Sequence, residues 1–296
     1  MNILVTGASG LIGSALSRAL AGAGHRIVSL NRGSNNSVPR WNPESGEINL
    51  NGAGKLDAVI HLAGEPIAQR WTESKKARIR DSRVNGTRLL CEALARLPQT
   101  PRVLIAASAT GFYGNRRDEL LDEESPHGVG FLADVCREWE AAAAPAVSAR
   151  IRTVHTRFGI VLSPRGGALA KMLPAFLLGL GGKLGDGQHY WSWIALPDLI
   201  HAVEHALDNE GLRGPVNVVS PNPVTNLEFT KTLGSVLNRP TFFAMPAFAV
   251  KLLFGQMGQE ALLASFRVRP ARLLANGFSF EFSQLKPALR HLLANG

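Results

Sequence analysis

A glycine-rich turn near the amino terminus constrains the fold of this chain more than any other feature of its sequence. Gly7, Gly10 and Gly13 follow a short apolar run at 2–6 and open a stretch at 11–23 whose apolar residues recur at helical spacing. Glycines at this spacing permit a tight turn, a close approach of backbone to a pyrophosphate and close packing of helix on strand. Free amides and the positive dipole at the start of such a helix favour phosphate groups. The residues that we expect to contact a dinucleotide here are Gly7, Ser9, Gly10, Leu11, Ile12 and Gly13.

Strand and helix patterns alternate through the first half of the chain. That alternation predicts an α/β fold with a doubly wound parallel sheet of the Rossmann type. Further strands are predicted at 26–31, 57–62, 102–107 and 151–158, and helices at 73–97 and 131–144.

The pattern loosens after residue 163. Five glycines lie between residues 179 and 187, and Thr225 with Glu228 forms a capping box for a helix. We predict that residues 1–165 with 193–222 form the Rossmann domain. Residues 166–192 with 223–296 would form a smaller C-terminal substrate lobe over the carboxyl ends of the strands, where open α/β sheets bind ligands.

The end of the second predicted strand indicates which dinucleotide is bound. An NAD site usually carries an acid there for the ribose 2′-hydroxyl, but no acid lies between Ile27 and Trp41. Asn31 and Arg32 stand at this point instead, and a guanidinium can pair with a 2′-phosphate. The sequence therefore favours NADP(H), the alternative being that Arg32 is an ordinary solvated loop residue.

The overall charge and hydropathy exclude several classes of protein. The formal net charge is +9, but the cations are dispersed and form no recognisable nucleic-acid module, so we expect no nucleic-acid partner. No apolar run approaches the ~18 residues of a membrane helix, and the first residues resemble no secretory leader. These observations predict a soluble, cytoplasmic protein without a membrane partner.

Motifs beyond the glycine turn resemble those of the extended short-chain dehydrogenase/reductase superfamily, which includes the sugar-nucleotide epimerases. They are His61-Leu62-Ala63-Gly64, Asn85-Gly86-Thr87 and the strand end at 108–114. Within that superfamily the chain resembles an atypical group named epimerase family proteins. The motifs that carry this closer resemblance are Ala63-Gly64-Glu65-Pro66-Ile67, Arg70-Trp71, Ser82-Arg83, Trp139-Glu140, Trp193-Ile194, Asp198, Ser220-Pro221, and a C-terminal segment with Arg269-Pro270 and Gly277-Phe278.

The resemblance implies NADPH as the cofactor and also a homodimer, which such proteins often form through two helices of each subunit. The small residues after His61 would let the backbone run beside the adenosine half of the cofactor. The residues that the resemblance places against it are Asn31, Arg32, Leu62, Ala63, Gly64, Arg83 and Ile160.

The same resemblance exposes a departure from the superfamily. Active short-chain dehydrogenases use Tyr-x-x-x-Lys, in which the tyrosine is the general acid or base and the lysine lowers its pKa. The corresponding positions here are Leu132 and Cys136, and neither Tyr113 nor Tyr190 is followed by lysine four residues on. The catalytic pair of the superfamily is therefore missing.

Three residues remain as candidates for chemistry. Ser108 matches the serine that polarises the substrate in the superfamily, Tyr113 could supply a phenol, and Glu65 lies just beyond a predicted strand. The alternatives are a capping serine, a packing tyrosine and a loop carboxylate. We take Ser108 and Tyr113 as the candidate catalytic residues.

A last pattern, His201-x-x-Glu204-His205, formally matches an inverted zinc-protease motif. It follows Asp198 on what the resemblance makes a peripheral helix, so we expect no metal. The sequence thus predicts an NADPH-binding oxidoreductase or epimerase-like enzyme acting on an unknown small carbonyl or sugar-nucleotide-like substrate. The alternative is a non-catalytic NADPH-binding sensor or interaction protein.

Overall fold

The computed structural model describes residues 1–31 and 39–294 of the chain. A 3₁₀ turn at Thr110–Tyr113 and a π turn at Gly258–Leu262 accompany the regular elements. The strands are β1 (Asn2–Thr6), β2 (Arg26–Leu30), β3 (Arg40–Asn42), β4 (Glu47–Asn49), β5 (Ala58–His61), β6 (Val103–Ala109), β7 (Leu120–Leu121), β8 (Arg152–Phe158), β9 (Ile160–Leu162), β10 (Tyr190–Trp191), β11 (Trp193–Ala195), β12 (Gly214–Val218), β13 (Val224–Thr225) and β14 (Arg267–Val268). The helices are α1 (Leu11–Gly22), α2 (Glu73–Ala95), α3 (Phe131–Ala141), α4 (Ala144–Ser148), α5 (Gly167–Leu177), α6 (Leu196–Asp208), α7 (Asn226–Leu237), α8 (Ala247–Phe254), α9 (Ala271–Ala275) and α10 (Leu285–Ala294).

Six of the described strands form one parallel sheet in the order β12-β8-β6-β5-β1-β2. The chain passes from β1 outward to β2 and then returns to the other side of β1, where β5 pairs with it. The strand order therefore reverses at β1, and this reversal opens a crevice at the carboxyl ends of β1 and β5. The predicted Rossmann-type parallel sheet is confirmed.

Successive side chains of each strand lie on opposite faces of the sheet and pack in two separate cores. Ile3 and Val5 pack with apolar residues of α1 and α6 on one face of the sheet. Leu4, between them, packs with residues of α2 and α4 on the other face. Because both faces are buried, the strands read as nearly continuous apolar runs.

A third core lies among elements that follow β8. Trp191, Trp193 and Phe229 pack there with apolar residues of α5, α7 and α10. Thr225 is the N-cap of α7, as half of the predicted capping box requires, since its Oγ1 accepts a hydrogen bond from the amide of Glu228 (3.1 Å). The division of the chain into a Rossmann domain and a substrate lobe, as predicted above, stays a prediction.

The stretch after β2 contains a β-hairpin that was not predicted from its composition, which is rich in Asn, Ser, Gly and Pro. β3 pairs with β4 in antiparallel register, and Trp41 of β3 is buried against Gly86 of α2. Throughout the described ranges, no helix combines the length and the hydropathy needed to cross a bilayer.

Candidate cofactor site and its surroundings

The glycine turn lies in the crevice where the strand order reverses. Gly7 has a φ of +69°, and a Cβ added to it would meet the carbonyl carbon of Leu62 and the amide of Ala63 at 2.9 Å. A Cβ on Gly13 would lie 2.1 Å from the carbonyl oxygen of Gly7. Helix α1 therefore packs directly on the turn, and no larger residue fits at either position.

The start of α1 leaves backbone amides for a ligand. Its first intrahelical bond runs from the amide of Ser14 to the carbonyl of Gly10 (2.9 Å), so the amides of Leu11 and Ile12 precede the intrahelical ladder. Gly10, the N-cap, has no side chain that could cap them. Such an end favours an anionic group, and this cradle fits a pyrophosphate.

A buried polar network fixes the strand ends behind the glycine turn. Thr6 Oγ1 accepts hydrogen bonds from the amides of Leu62 and Ala63 at 3.1 and 3.2 Å. Its own proton is then left for His61 Nδ1, 2.7 Å away. His61 Nε2 consequently carries the ring proton and donates it to Thr87 Oγ1 (2.9 Å).

The same network keeps His61 neutral. Burial, with a smaller contribution from the charge of Arg83, lowers the pKa of His61 to about 4. The indole of Trp139 also donates to Thr87 Oγ1 (2.9 Å), which joins α3 to the network. The amides of Leu62 and Ala63 are therefore held in place by a buried network of hydrogen bonds.

Arg83 reaches from α2 to the segment that follows β5. Its Nη1 donates to the carbonyl oxygen of Glu65 (2.9 Å), and a Cβ on Gly64 would touch its guanidinium at 3.3 Å. The guanidinium also stacks over Trp139, 4.9 Å from the ring centroid. Burial lowers the pKa of Arg83 below its usual range, and the guanidinium stays a cation beside the crevice.

Glu65, a weaker candidate for chemistry, is paired with cations. Its Oε1 accepts a hydrogen bond from the buried Lys75 Nζ at 2.5 Å and lies 3.7 Å from Arg78 Nε. Its backbone amide donates to Ser82 Oγ. The carboxylate is thereby held at the start of α2.

The remaining predicted cofactor contacts lie at neighbouring strand ends. Asn31 follows β2, is exposed, and bridges to Arg40 at the start of the hairpin. Ile160 begins β9 one residue after the end of β8, and its amide donates to the carbonyl oxygen of Ser192 (2.8 Å). Arg32 lies outside the described residues.

Ser108, at the carboxyl end of β6, is bound to an ion pair. Its hydroxyl donates to Glu140 Oε1 at 2.7 Å. Arg157 Nε and Nη2 bind the two oxygens of that carboxylate, each at 2.8 Å. Arg157 also lies over the ring of Phe112, 3.5 Å from its centroid. The ion pair is almost fully buried, with side chains 3% and 12% exposed for Arg157 and Glu140.

Tyr113 continues this network inward. Its hydroxyl accepts from Arg157 Nη1 (3.0 Å) and donates to Asn217 Oδ1 (2.7 Å). The ring is fully buried, and burial raises the pKa of the phenol to about 12. The catalytic role assigned to Tyr113 from the sequence stays a prediction, and in this arrangement its hydroxyl joins Arg157 to Asn217.

Leu132 and Cys136 lie on α3, beside the strand end that carries Ser108. A Cβ on Gly111 would contact the Leu132 Cβ at 3.4 Å and the Cys136 Sγ at 3.8 Å. Burial raises the pKa of the Cys136 thiol to about 12, so it stays protonated near neutral pH. The positions of the missing tyrosine and lysine are thus filled by an apolar side chain and an inert thiol.

A residue distant in sequence closes the start of α3. Glu260 Oε2 accepts a hydrogen bond from the amide of Leu132 (3.0 Å), and its carboxylate lies against Gly130. The carboxylate therefore satisfies an amide at the positive end of the helix. No local pattern in the sequence signals this contact.

The other patterns noted in the sequence lie away from the glycine turn. His201 is exposed on α6, while His205 Nε2 lies 3.1 Å from the carbonyl oxygen of Asn276. Among the residues with described positions, no group of three metal-ligating side chains is assembled. Arg269 and Arg272 bind Asp122 and Glu124 at the surface.

Comparison with known proteins places these features in a family. The chain matches the NAD dependent epimerase/dehydratase family over residues 3–219 and a domain of unknown function, DUF1731, over residues 245–292. An epimerase family protein of Mycobacterium bovis is 43% identical over 290 residues, which cover 97% of this chain and 96% of that protein. Human epimerase family protein SDR39U1 is 36% identical over 299 residues, 99% of this chain and 100% of the relative.

Solved structures agree with the sequence comparison. The crystal structure of human SDR39U1 with NADPH matches over 100% of both chains with a TM-score of 0.91 and 34% identity. A nucleoside-diphosphate sugar epimerase of Corynebacterium glutamicum matches 99% of this chain and 58% of its own, with a TM-score of 0.81 and 37% identity. The predicted resemblance, including the C-terminal segment, is confirmed. The chain belongs to the NAD-dependent epimerase/dehydratase family, among the epimerase family proteins that carry a DUF1731 segment.

Proposed function

We propose that this protein binds NADPH in the crevice at β1 and uses it in an oxidoreductase or epimerase-like reaction. The observation that carries the proposal is the glycine turn, which brings Gly7 against Leu62 and Ala63 and packs Gly13 on Gly7. The NADPH present in the crystal structure of the human relative supports the choice of cofactor.

Each part of the cofactor has a residue suited to it. The amides of Leu11 and Ile12 would bind the pyrophosphate, and Arg32 would pair with the 2′-phosphate. Segment 62–64, held by the Thr6–His61 network, would lie along the ribose and pyrophosphate. Arg83 would add a cation at the edge of the crevice.

The nicotinamide half would extend towards Ser108, and NADPH bound there supplies a hydride. The Ser108 hydroxyl donates its single proton to Glu140. In this orientation it can act towards a ligand only as a hydrogen-bond acceptor. In this role it would accept a hydrogen bond from a substrate hydroxyl. Polarising a carbonyl requires the proton to rotate away from Glu140, which Arg157 would continue to bind through both carboxylate oxygens.

A second candidate function is a non-catalytic NADPH-binding sensor or interaction protein. The observation that favours it is the pair Leu132 and Cys136, which offer no proton donor and no cation at the positions where the superfamily has tyrosine and lysine. Such a protein would change its affinity for a partner when the cofactor binds.

Calorimetric titration with NADPH and with NADH tests the cofactor. We expect the wild-type chain to prefer NADPH. Arg32→Ala should weaken NADPH binding by about ten- to a hundredfold, which is the contribution of one hydrogen bond between charged groups. NADH binding should change little in that variant. Lys55→Ala, an exposed cation before β5, is the matched control. Equal binding of both cofactors by the wild type would overturn the assignment.

Turnover separates the two candidate functions. An enzyme would oxidise NADPH with some member of a panel of carbonyl compounds and sugar nucleotides, and Ser108→Ala would slow this by about a hundredfold or more while leaving NADPH affinity intact. Ser17→Ala removes a buried hydroxyl without a protein partner and serves as the control. Capture of a partner that depends on NADPH, without turnover, would favour the sensor.

A further inference from the structure

A group of large apolar side chains remains exposed on the C-terminal part of the molecule. Phe242 is 89% exposed, Leu178 74% and Phe248 73%. In residues 1–31 and 39–294, no segment covers them. We call this group the apolar surface; it consists of Leu177, Leu178, Phe242, Phe243, Phe248 and Leu252.

Backbone contacts hold the segments of the apolar surface side by side. Arg239 Nε donates to the carbonyl oxygen of Leu177 (2.8 Å). The amide of Met245 donates to the carbonyl oxygen of Lys183, and a Cβ on Gly185 would contact Ala247 at 3.6 Å. The end of α5, the chain before α8 and α8 itself are therefore neighbours, and their exposed apolar residues form one patch.

The charged residues of the segments that form this patch are mostly cations, and Asp186, directly after Gly185, is an exposed acid beside them. The stretches 164–185 and 229–259 contain no aspartate or glutamate, whereas lysines and arginines recur through both. Lys251 is exposed on α8, three residues after Phe248 and next to Leu252, which places it on the same helix face. Lys171 is exposed on α5. The patch is therefore apolar at its centre and mostly cationic at its rim.

That combination identifies the kind of partner. A second copy of this chain would bring the same cations against one another around the buried centre, and like charges at an interface are unfavourable. An anionic lipid surface supplies both an apolar phase and phosphate groups. We propose that the apolar surface docks this protein on anionic membranes, with its phenylalanines and leucines at the headgroup–acyl boundary and its lysines on lipid phosphates.

The expectation of no membrane partner rests on the lack of a membrane-spanning run, and peripheral docking needs none. Docking of this kind leaves the protein on one side of the bilayer, since α8 has only eight residues. It would also bring the cofactor crevice close to the membrane. Arg70 Nη1 donates to the carbonyl oxygen of Leu252 (3.2 Å), and Lys171 Nζ to that of Ala68 (3.4 Å). Both contacts tie the patch to the segment between β5 and α2 that contains Gly64 and Glu65. The proposal holds whether or not the protein turns over a substrate.

Flotation of the purified full-length chain with lipid vesicles tests the proposal. We expect binding to vesicles that contain phosphatidylglycerol and much weaker binding to phosphatidylcholine alone. Replacing Phe242 and Phe248 together by serine should weaken partitioning by about tenfold or more. Lys251→Gln should weaken it by about fivefold and reduce its dependence on salt. All three positions are exposed, so the variants should fold, as circular dichroism can verify.

Matched controls separate a specific surface from general basicity. Val147→Ser changes an exposed apolar residue on α4, and Lys55→Gln an exposed cation before β5; neither should alter partitioning. Equal losses in the controls, equal binding to neutral and anionic vesicles, or no binding would each overturn the proposal. So would a wild-type dimer, measured by sedimentation, that the double serine variant converts to a monomer, because the patch would then join two copies of the chain.

Discussion

At the scale of single residues, the site depends on polar groups that are buried and almost completely satisfied. The Thr6 hydroxyl accepts hydrogen bonds from two backbone amides and donates one to His61. The Ser108 hydroxyl donates a hydrogen bond to Glu140. Each hydroxyl thereby has a defined direction. The polarity of a hydrogen bond, and not only its presence, determines what a ligand can do at these positions.

The neutral His61 makes the fold sensitive to acid. Its pKa in the folded chain, about 4, is below the ordinary 6.5, so its contribution to stability is complete above pH 6.5 and is lost as the pH falls towards 4. Between pH 7 and pH 5 we expect a loss of about 2 kcal/mol that His61→Gln does not show. Urea unfolding of both proteins at the two pH values measures the difference. Burial also lowers the pKa values of His155 and His189. Both histidines are present in the two proteins, so their contributions to the pH dependence cancel in the comparison. Parallel pH dependence in the two proteins would contradict the assignment.

Two carboxylates on α3 should differ widely in their effect on stability. Glu140→Gln leaves the buried Arg157 without its counter-ion and should lower the free energy of unfolding by about 3–5 kcal/mol. Glu138 pairs with Arg80, whose side chain is 48% exposed, and Glu138→Gln should cost less than about 1 kcal/mol. Denaturant unfolding of both variants compares the same chemical change in one helix. Similar losses would show that the burial of the Arg157 pair is not what matters.

At the scale of elements, helix α1 offers a direct test of the glycine turn. Gly13→Ala would force its Cβ to within 2.1 Å of the carbonyl oxygen of Gly7, so the helix must move off the turn. We expect NADPH binding by this variant to fall below detection and its free energy of unfolding to decrease. Gly22→Ala, at the other end of α1, meets no atom within 4 Å and should be neutral or stabilising by up to about 1 kcal/mol. Calorimetry on the two variants is the measurement, and unchanged NADPH binding by Gly13→Ala would contradict the proposed cradle.

The elements that could be predicted from the sequence are those whose pattern is local. The turn at Gly7–Gly13 lies between a strand with an apolar centre and an amphipathic helix, and Thr225 with Glu228 marks the start of α7. The hairpin of β3 and β4 was not predicted, because its strands are three residues long and lie in a stretch rich in Asn, Ser, Gly and Pro. What stabilises it is the burial of Trp41 against α2, a contact between residues distant in sequence.

The candidate site divides in the same way. Its phosphate cradle is formed by consecutive residues and could be predicted. The ion pair of Glu140 with Arg157 joins α3 to β8, and the cap from Glu260 on α3 spans 128 residues of sequence. Side-chain pairs at such separations have no periodicity that a single sequence reveals. For this reason Ser108 could be nominated from its resemblance to a family, but its proton acceptor could not.

At the scale of the whole molecule, cofactor binding should stabilise the entire fold. The crevice is made from β1, β2 and β5, all of which belong to the central sheet. NADPH at about a hundred times its Kd adds about 2.7 kcal/mol to the free energy of unfolding, which is a rise in Tm of about 4 °C for a chain of this size. Thermal unfolding with and without NADPH measures it, and Gly13→Ala should show no rise. A rise of the same size in that variant would mean that NADPH binds elsewhere.

The bonds of Asn217 bear on how this molecule can evolve. Asn217 lies within the stretch that matches the epimerase/dehydratase family, yet its side-chain amide donates to the carbonyl oxygen of Arg269, in the DUF1731 segment. Glu123 accepts hydrogen bonds from the amides of both Asn217 and Arg272. A gene rearrangement that removed the C-terminal segment would therefore leave the side-chain amide of Asn217 without its acceptor and take from Glu123 one of its two backbone donors. Selection must act on the two stretches together, so that they are inherited as a single unit although each matches a family of its own.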